Sequence, residues 1–444
     1  MRDDDSIRGR FKRYVSVSSS LTQLAFKLAK YYYTETPEQG PQRAQEMKAI
    51  LGELKGPLMK IAQLLATVPD LLPPEFAKEL MQLQSLAPPM RGSFVTRRMR
   101  GELGENWEQK FQYFNKEPAA AASLGQVHYA RTHDGQEVAC KLQYPDMLSI
   151  VKADLHQLKL FFKALDYYGR AIQSDDIHQE IQDRLLEELD YTLEARHLKL
   201  YHLIHQHTPA VTIPQVIDEL STHRLLCMQW LQGRSLLQCI HLPLEERNII
   251  AKRLFHAWYI PFYHYGVIHG DPHLGNYSIT DDLSVNILDF GCIRKFPPSF
   301  VQGVVNLYHA LKDGDEELAV EAYRQWGFDP ISKELIQVLN QWAQFLYAPL
   351  MEDRVRSIDE TKSGIYGREV AGKVYQDLQK IGGVKPPKEF VFMDRAAIGL
   401  GSVFLHLKAE INWYEEFQNI LNSYNIDTLQ KTQKEKFSLL GLKF

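Results

Sequence analysis

Cysteine is scarce in this sequence: of 444 residues only Cys140, Cys227, Cys239 and Cys292 carry a thiol, far apart and without CxxC spacing. That excludes a disulfide-stapled scaffold or a zinc ribbon, and with no cleavable signal-peptide pattern the expected setting is a reducing cytoplasm. Charge of one sign is lacking too. A net charge of −4 supplies no basic field to displace phosphate counterions, so nucleic acid is not an expected partner. The most apolar late stretch, Val391 to Leu407, contains Asp394 and Arg395. Each is costly at the centre of a bilayer, so no transmembrane helix is expected there. Proline is dispersed, and an apolar share of 45 % with 24 % charged residues excludes long disorder. No internal repeat stands out.

What the chain does have is length, enough to require at least two lobes with cores of their own. Arg8, Arg10, Lys12 and Arg13 precede a stripe of Leu21, Leu24, Ala25, Leu28 and Tyr32 on one helical face. This segment reads either as a helix docked on the rest of the protein or as a membrane-surface helix, so any membrane contact is at most peripheral. From Arg43 to Leu86 apolar residues recur at helical spacing, broken at Gly56-Pro57 and punctuated by Pro69, Pro73-Pro74 and Pro88-Pro89. A helical extension over residues 1–92 is predicted.

The pattern then changes. Gly125 to Arg131 and Glu137 to Gln143 are strand-like runs joined by Thr132-His-Asp-Gly135, a hairpin signature. Helical periodicity returns from Met147 to His205, followed by strand-like runs at Val211 to Ile217 and Arg224 to Trp230. Beyond Gly233 the chain reads as mostly helical, except for short strands at Gly266 to His269 and Val285 to Asp289. The whole is an α+β pattern, with a small β-rich lobe over 93–230 and a mostly helical large lobe over 231–444.

The chemistry concentrates in His269-Gly-Asp-Pro-His-Leu-Gly-Asn276 and Ile287-Leu-Asp-Phe-Gly291. Asp271 and Asn276 stand five residues apart, and Asp289 follows thirteen later in an apolar run ending in Phe-Gly. Phosphoryl transfer needs an acceptor for the nucleophile's proton and two oxygen ligands for Mg²⁺. Asp271 fits the first role, Asn276 and Asp289 the second, in the order of a kinase-like site. Gly270 replaces the arginine with which regulated protein kinases read an activation-loop phosphate. The loop itself looks like that of small-molecule phosphotransferases of the aminoglycoside- or choline-kinase type. Upstream, Val138-Ala-Cys-Lys-Leu-Gln143 alternates so that Lys141 points away from Val138, Cys140 and Leu142, toward a cleft or solvent. By itself a lysine on a strand is usually just an exposed charge. Ala119 to Gly125 occupies the place of a glycine-rich phosphate loop but keeps one glycine, which narrows its backbone freedom. The competing reading takes His269, Asp271 and His273 as ligands of one divalent ion in a hydrolase.

With these residues in view, the chain resembles the UbiB (AarF) family of atypical kinase-like proteins from about Leu54 to at least Phe296. The resemblance rests on Lys60-Ile-Ala-Gln63, Pro69-Asp-Leu-Leu-Pro-Pro-Glu75, Leu83-Gln84 to Pro88-Pro89, the alanine-rich loop Ala120-Ala-Ala-Ser-Leu-Gly-Gln-Val-His128, the lysine strand and Glu188-Leu-Asp190. Ala62 departs from it, standing where the family has glycine, and the tail from Lys436 to Phe444 has no hydrophobic span like the family's C-terminal segments. The resemblance implies a two-lobed protein-kinase-like fold holding ATP or ADP with Mg²⁺ between the lobes. Ala120, Ala121, Ala122, Ser123, Gln229 and Trp230 would line the nucleotide, and Lys141 with Glu194 would orient its phosphates. Lys60 would pair with Glu188 and restrict access for protein substrates. It further implies a setting in ubiquinone or isoprenoid-lipid metabolism, with lipid-pathway enzymes as partners and a location no more than peripheral to the inner membrane. A nucleotide-binding scaffold with little turnover is the remaining alternative.

Overall fold

The computed structural model describes residues 92–122, 124–167, 174–328, 331–360 and 387–444, with Met90 and several positions between 373 and 381. The expected N-terminal extension with Lys60, and Ser123 of the alanine-rich loop, lie outside the described residues. The chain divides into two compact units. One runs to Thr192 and is completed by Ile217–Gln229, and the other comprises Leu193–Val216 and Trp230–Phe444.

In chain order the elements begin with α1 (Gly92–Leu103), β1 (Tyr113–Phe114), β2 (Ala120–Ala121), β3 (Gly125–Arg131), β4 (Glu137–Gln143), α2 (Met147–Tyr167) and α3 (Ser174–Glu188). Next come α4 (Tyr191–His205), β5 (Val211–Thr212) and β6 (Leu225–Gln229). The first unit is built on an antiparallel sheet of order β1-β3-β4-β6, with β2 also pairing β3. Its central hairpin has the boundaries expected from alternation. At the turn Gly135 takes φ 85°, and its amide donates to the Thr132 carbonyl at 3.0 Å. Val138, Cys140 and Leu142 point into one core with Val95, Met99, Trp107, Phe111, Leu225 and Cys227. Each fully buried side chain of this kind contributes about 1.5–3 kcal/mol of transfer free energy. Helix α1 is tied to the end of β4, where the Arg98 guanidinium donates to the carbonyls of Gln143 at 3.3 Å and Tyr144 at 2.8 Å.

The second unit continues with β7 (Arg234–Ser235), α5 (Leu244–Tyr265), β8 (Val267–His269), β9 (Tyr277–Ile279), β10 (Val285–Ile287) and β11 (Ile293–Lys295). After them come α6 (Pro298–Asp313), α7 (Glu316–Trp326), α8 (Lys333–Met351), β12 (Arg356–Ser357), α9 (Lys388–Leu407), β13 (Glu410–Ile411), α10 (Trp413–Leu421) and α11 (Ile426–Leu439). A four-stranded sheet of order β5-β10-β9-β7 stands beside the two-stranded ladder β8-β11. The strand expected from Val211 to Ile217 pairs only over Val211–Thr212, parallel to β10. Pro214 has no N–H to continue the ladder. All four cysteines are free.

Among the described residues, α9 is long and apolar enough, by length and composition alone, to cross a membrane. Its contacts are nevertheless those of a packed helix. Asp394 accepts from Trp342 Nε1 at 2.5 Å, the Phe390 ring lies tilted 4.6 Å from that of Trp342, and Phe404 lies 4.6 Å from Trp413. The half-buried carboxylate of the sequence pattern is thus hydrogen-bonded within the unit.

Candidate nucleotide-handling site

Strand pairing in the second unit explains how residues so far apart in sequence converge. Helix α5 ends at Gly266, whose φ of 64° turns the chain into β8, and a Cβ there would meet the Phe296 carbonyl oxygen at 2.7 Å. Strand β8 pairs antiparallel with β11, His269 opposite Ile293, and the Gly270 amide extends the ladder by donating to the Cys292 carbonyl at 2.6 Å. The segment between them is therefore closed at its base, with Asp271 emerging from one strand and Gly291 leading into the other. Gly270 has a steric reason of its own: a Cβ would stand 2.9 Å from Cys292 Sγ and 3.0 Å from its carbonyl oxygen. Any larger residue at this position would press the two strands apart.

Within that closed segment, β9 and β10 form a hairpin with Tyr277 opposite Ile287. One step beyond the ladder the Leu288 amide donates to the Asn276 carbonyl at 3.0 Å, so the register sets Asn276 opposite Leu288, the residue before Asp289. The Asn276 amide nitrogen donates to the Asp271 carbonyl oxygen at 3.0 Å and to its Oδ2 at 3.1 Å. With Nδ2 so used, Oδ1 of Asn276 faces another direction. The Asp289 carboxylate accepts from the Gly291 amide at 2.9 Å through Oδ1.

His269, only 2 % exposed, is enclosed by Tyr201, Trp258 and Phe290. Its Nδ1 accepts the Asp271 amide proton at 3.3 Å, which fixes the proton on Nε2, and Nε2 donates to the Asp289 carbonyl at 2.5 Å. Both ring nitrogens are thereby engaged by backbone. His273 in turn accepts from the Gly275 amide at 3.1 Å. The alternative of a His269, Asp271 and His273 metal centre does not fit this arrangement, and among the described residues no three His, Cys, Asp or Glu side chains are grouped to hold a metal.

Helix α4 approaches the same segment. Asp190 caps it by accepting from the Thr192 amide at 3.0 Å. Along it Glu194, His197 and Tyr201 fall at i, i+3 and i+7, on one face. Glu194 is 3 % exposed, and its Oε2 would be 3.9 Å from a Cβ at Gly291. His197 Nδ1 lies 3.3 Å from the Phe290 carbonyl oxygen, and the Tyr201 ring packs 5.3 Å from that of Phe290. His197 and Tyr201 were not among the expected functional residues, although their spacing on a helix face was there to be read.

In the first unit Lys141 pairs across to Val127 on one side and Leu226 on the other. It is 8 % exposed, on the face opposite the core trio, with its ammonium 5.4 Å from the Tyr191 ring centroid. The alanine-rich segment runs against β3, Ala120 opposite Val127 and Ala121 opposite Gln126, and the Ala122 amide donates to the Gly125 carbonyl at 3.0 Å. Gly125 is required by close approach, since a Cβ there would lie 2.5 Å from the Leu142 carbonyl oxygen. Gln229 ends β6, Trp230 begins the longer segment of the second unit, and Glu188 closes α3.

Fold and site together define a protein of the kinase-like class in its atypical form. The family model for the ABC1 atypical kinase-like domain matches residues 82–323, more than half of the chain, and the chain belongs to this family, the UbiB/AarF group. It is 27 % identical over 70 % of its length to the mitochondrial atypical kinase coq-8 of Caenorhabditis elegans. It is 23 % identical over 88 % to the mitochondrial atypical kinase COQ8B of Danio rerio, and 30 % over 61 % to the mitochondrial atypical kinase COQ8 of Saccharomyces cerevisiae. The chain spans 42 %, 62 % and 55 % of the length of those three relatives. Among solved structures, a Mycobacterium tuberculosis protein, Rv3197, in complex with erythromycin superposes with a TM-score of 0.60 at 26 % identity, covering 86 % of this chain and 96 % of the other.

Proposed function

We propose that the chain is an atypical kinase or ATPase of the UbiB type that binds Mg-ATP and serves ubiquinone or other isoprenoid-lipid metabolism. The observation that carries the reading is the β9-β10 register, which sets Asn276 opposite Leu288, the residue before Asp289, while Asn276 also holds Asp271. An amide oxygen and a carboxylate are hard donors of the kind Mg²⁺ takes in nucleotide sites, where phosphates and water complete the shell. The donor set therefore fits the ion that the family implies. When bound, Mg²⁺ would neutralise charge on the phosphate oxygens.

The chain's own residues would do the rest. Asp271, fixed by the Asn276 amide, accepts the proton of an attacking hydroxyl or water. His269 holds the backbones of Asp271 and Asp289 in a constant relation. Lys141 with Glu194 orients the phosphates, and the segment Ala120 to Ser123 with Gln229 and Trp230 lines the nucleotide. Pairing of Lys60 with Glu188 would keep protein substrates out. The location follows as at most peripheral to a membrane.

A second reading, transfer to a small hydroxyl compound, is favoured by the loop His269 to Asn276 and by the structural relative's complex with erythromycin. The test measures nucleotide binding and phosphate release by the wild type and Asp289→Asn, with and without Mg²⁺, liposomes and prenylated phenols. Mg²⁺-dependent binding lost in the variant, with release raised by the phenol, is expected. Stable phosphate on a water-soluble acceptor would favour the second reading, and binding without turnover a scaffold. No Mg²⁺-dependent binding in the wild type would overturn all nucleotide readings.

A further inference from the structure

Resting on the assignment of Asp271 to the catalytic loop, we propose that Gly399 is a positioning residue for that loop: its missing side chain seats helix α9 directly on the Pro272 ring and so sets where Asp271 stands. A glycine inside a helix weakens the helix, so its presence there calls for a contact that no other residue allows. The contact is explicit. A Cβ at Gly399 would lie 2.2 Å from Cγ of Pro272, 3.3 Å from its Cδ and 3.4 Å from its Cβ. Ordinary carbon contacts begin near ~3.5 Å, so one partner would have to move by about 1 Å.

Neither partner yields easily. The pyrrolidine ring is fused to the backbone and fixes φ, so it cannot swing aside as a flexible side chain would; its displacement passes to the peptide joining it to Asp271. Proline also restricts the backbone of the residue before it, which here is Asp271. The helix is held from its other side by the Trp342 to Asp394 hydrogen bond and by Phe390 against Trp326 and Trp342.

The face that meets Pro272 also meets the far strand of the site. Phe392, Ala396 and Gly399 stand at i, i+4 and i+7, one helical face. The Arg294 guanidinium lies 5.1 Å from the Phe392 ring centroid, and Ala396 is fully buried. Arg294 sits on β11, opposite Ile268 of β8. One stripe of α9 thus buttresses both the chain entering the Asp271 loop and the chain leaving Gly291.

The experiment is a cycle of Gly399→Ala, Pro272→Ala and the double variant in the full chain. It reads ATP turnover, Mg-ATP affinity, and hydrogen exchange of peptides covering residues 267–276. Gly399→Ala is expected to lower turnover by about a hundredfold, the scale of a 1 Å misplacement. Its Mg-ATP affinity should stay within about twofold, since Pro272 supplies no nucleotide ligand, and exchange in the loop should rise. In the Pro272→Ala background the same substitution should change both readouts by less than about twofold, because the clashing ring is gone. Equal losses in both backgrounds, or a Gly399→Ala protein with wild-type exchange and turnover, would sink the proposal. If Gly399→Ala does not fold, folding of the double variant with the exchange of Pro272→Ala sustains it, and failure of both overturns it. Absence of Mg-nucleotide binding by the wild type would defeat the functional reading alone, since the exchange cycle still decides what Gly399 does.

Discussion

His269 donates from Nε2 to the carbonyl oxygen of Asp289 at 2.5 Å while its other nitrogen accepts from the Asp271 amide. One neutral imidazole therefore links the two segments that carry the candidate carboxylates. His269→Phe keeps the ring volume among Tyr201, Trp258 and Phe290 but leaves both backbone groups without this partner. An unmade bond of this kind costs about 1–3 kcal/mol per buried group. The variant should unfold at lower denaturant and turn over ATP more slowly. A midpoint equal to wild type would show that the imidazole contributes only its shape.

Asn276→Asp is close to isosteric, yet it replaces the amide that donates to Asp271 Oδ2 at 3.1 Å with a second carboxylate. Two such groups cannot both ionise without cost, so one of them acquires a raised folded pKa. A raised pKa contributes stability below it that is lost as pH rises through it. The stability deficit of the variant should therefore be small near pH 4 and grow toward pH 8, and added Mg²⁺ should reduce it. Denaturation midpoints at several pH values measure this. A deficit independent of pH would mean that the two side chains do not face each other in solution.

Gly125→Ala places a methyl group 2.5 Å from the Leu142 carbonyl oxygen and 2.8 Å from the Tyr191 hydroxyl. The β3-β4 ladder must open beside Lys141 to admit it. A loss of about 1–3 kcal/mol, the usual cost of overpacking, should appear in chemical denaturation of the first unit. Unchanged stability would require that this end of β3 already stand farther from β4.

How much of this was legible beforehand follows from the range of each interaction. The β3 and β4 boundaries, and the core trio Val138, Cys140 and Leu142, are local consequences of alternation and a Gly135 turn, and the structure reproduces them residue for residue. Pro214 was equally visible, but the pairing partner that stops at it lies more than seventy residues away in β10. The order Asp271, Asn276, Asp289 could be recognised from spacing. Their mutual geometry depends on the β8-β11 and β9-β10 registers, which no local pattern fixes. The steric need for Gly270 and the contact of Gly399 with Pro272 arise only when distant backbones meet.

Acid should weaken the second unit through His205. This residue, 3 % exposed on α4 with Nδ1 3.2 Å from Thr208 Oγ1, has its pKa lowered by burial to about 4. Above pH 6.5 the imidazole is neutral folded or unfolded and contributes no pH dependence. Between 6.5 and 4 the unfolded chain takes up a proton that the folded chain refuses, so stability falls as pH falls. The limit of this effect is about 3 kcal/mol, reached near pH 4. Replacing His205 by Phe removes the titration while retaining an aromatic ring beside Tyr201, from which His205 lies 5.9 Å, centroid to centroid. The unfolding free energy of the wild type should decline more steeply than that of His205→Phe from pH 6.5 to 4.5, and the two curves should run parallel above pH 7. Parallel curves over the whole range would mean that His205 is protonated as readily in the folded protein as in the unfolded chain.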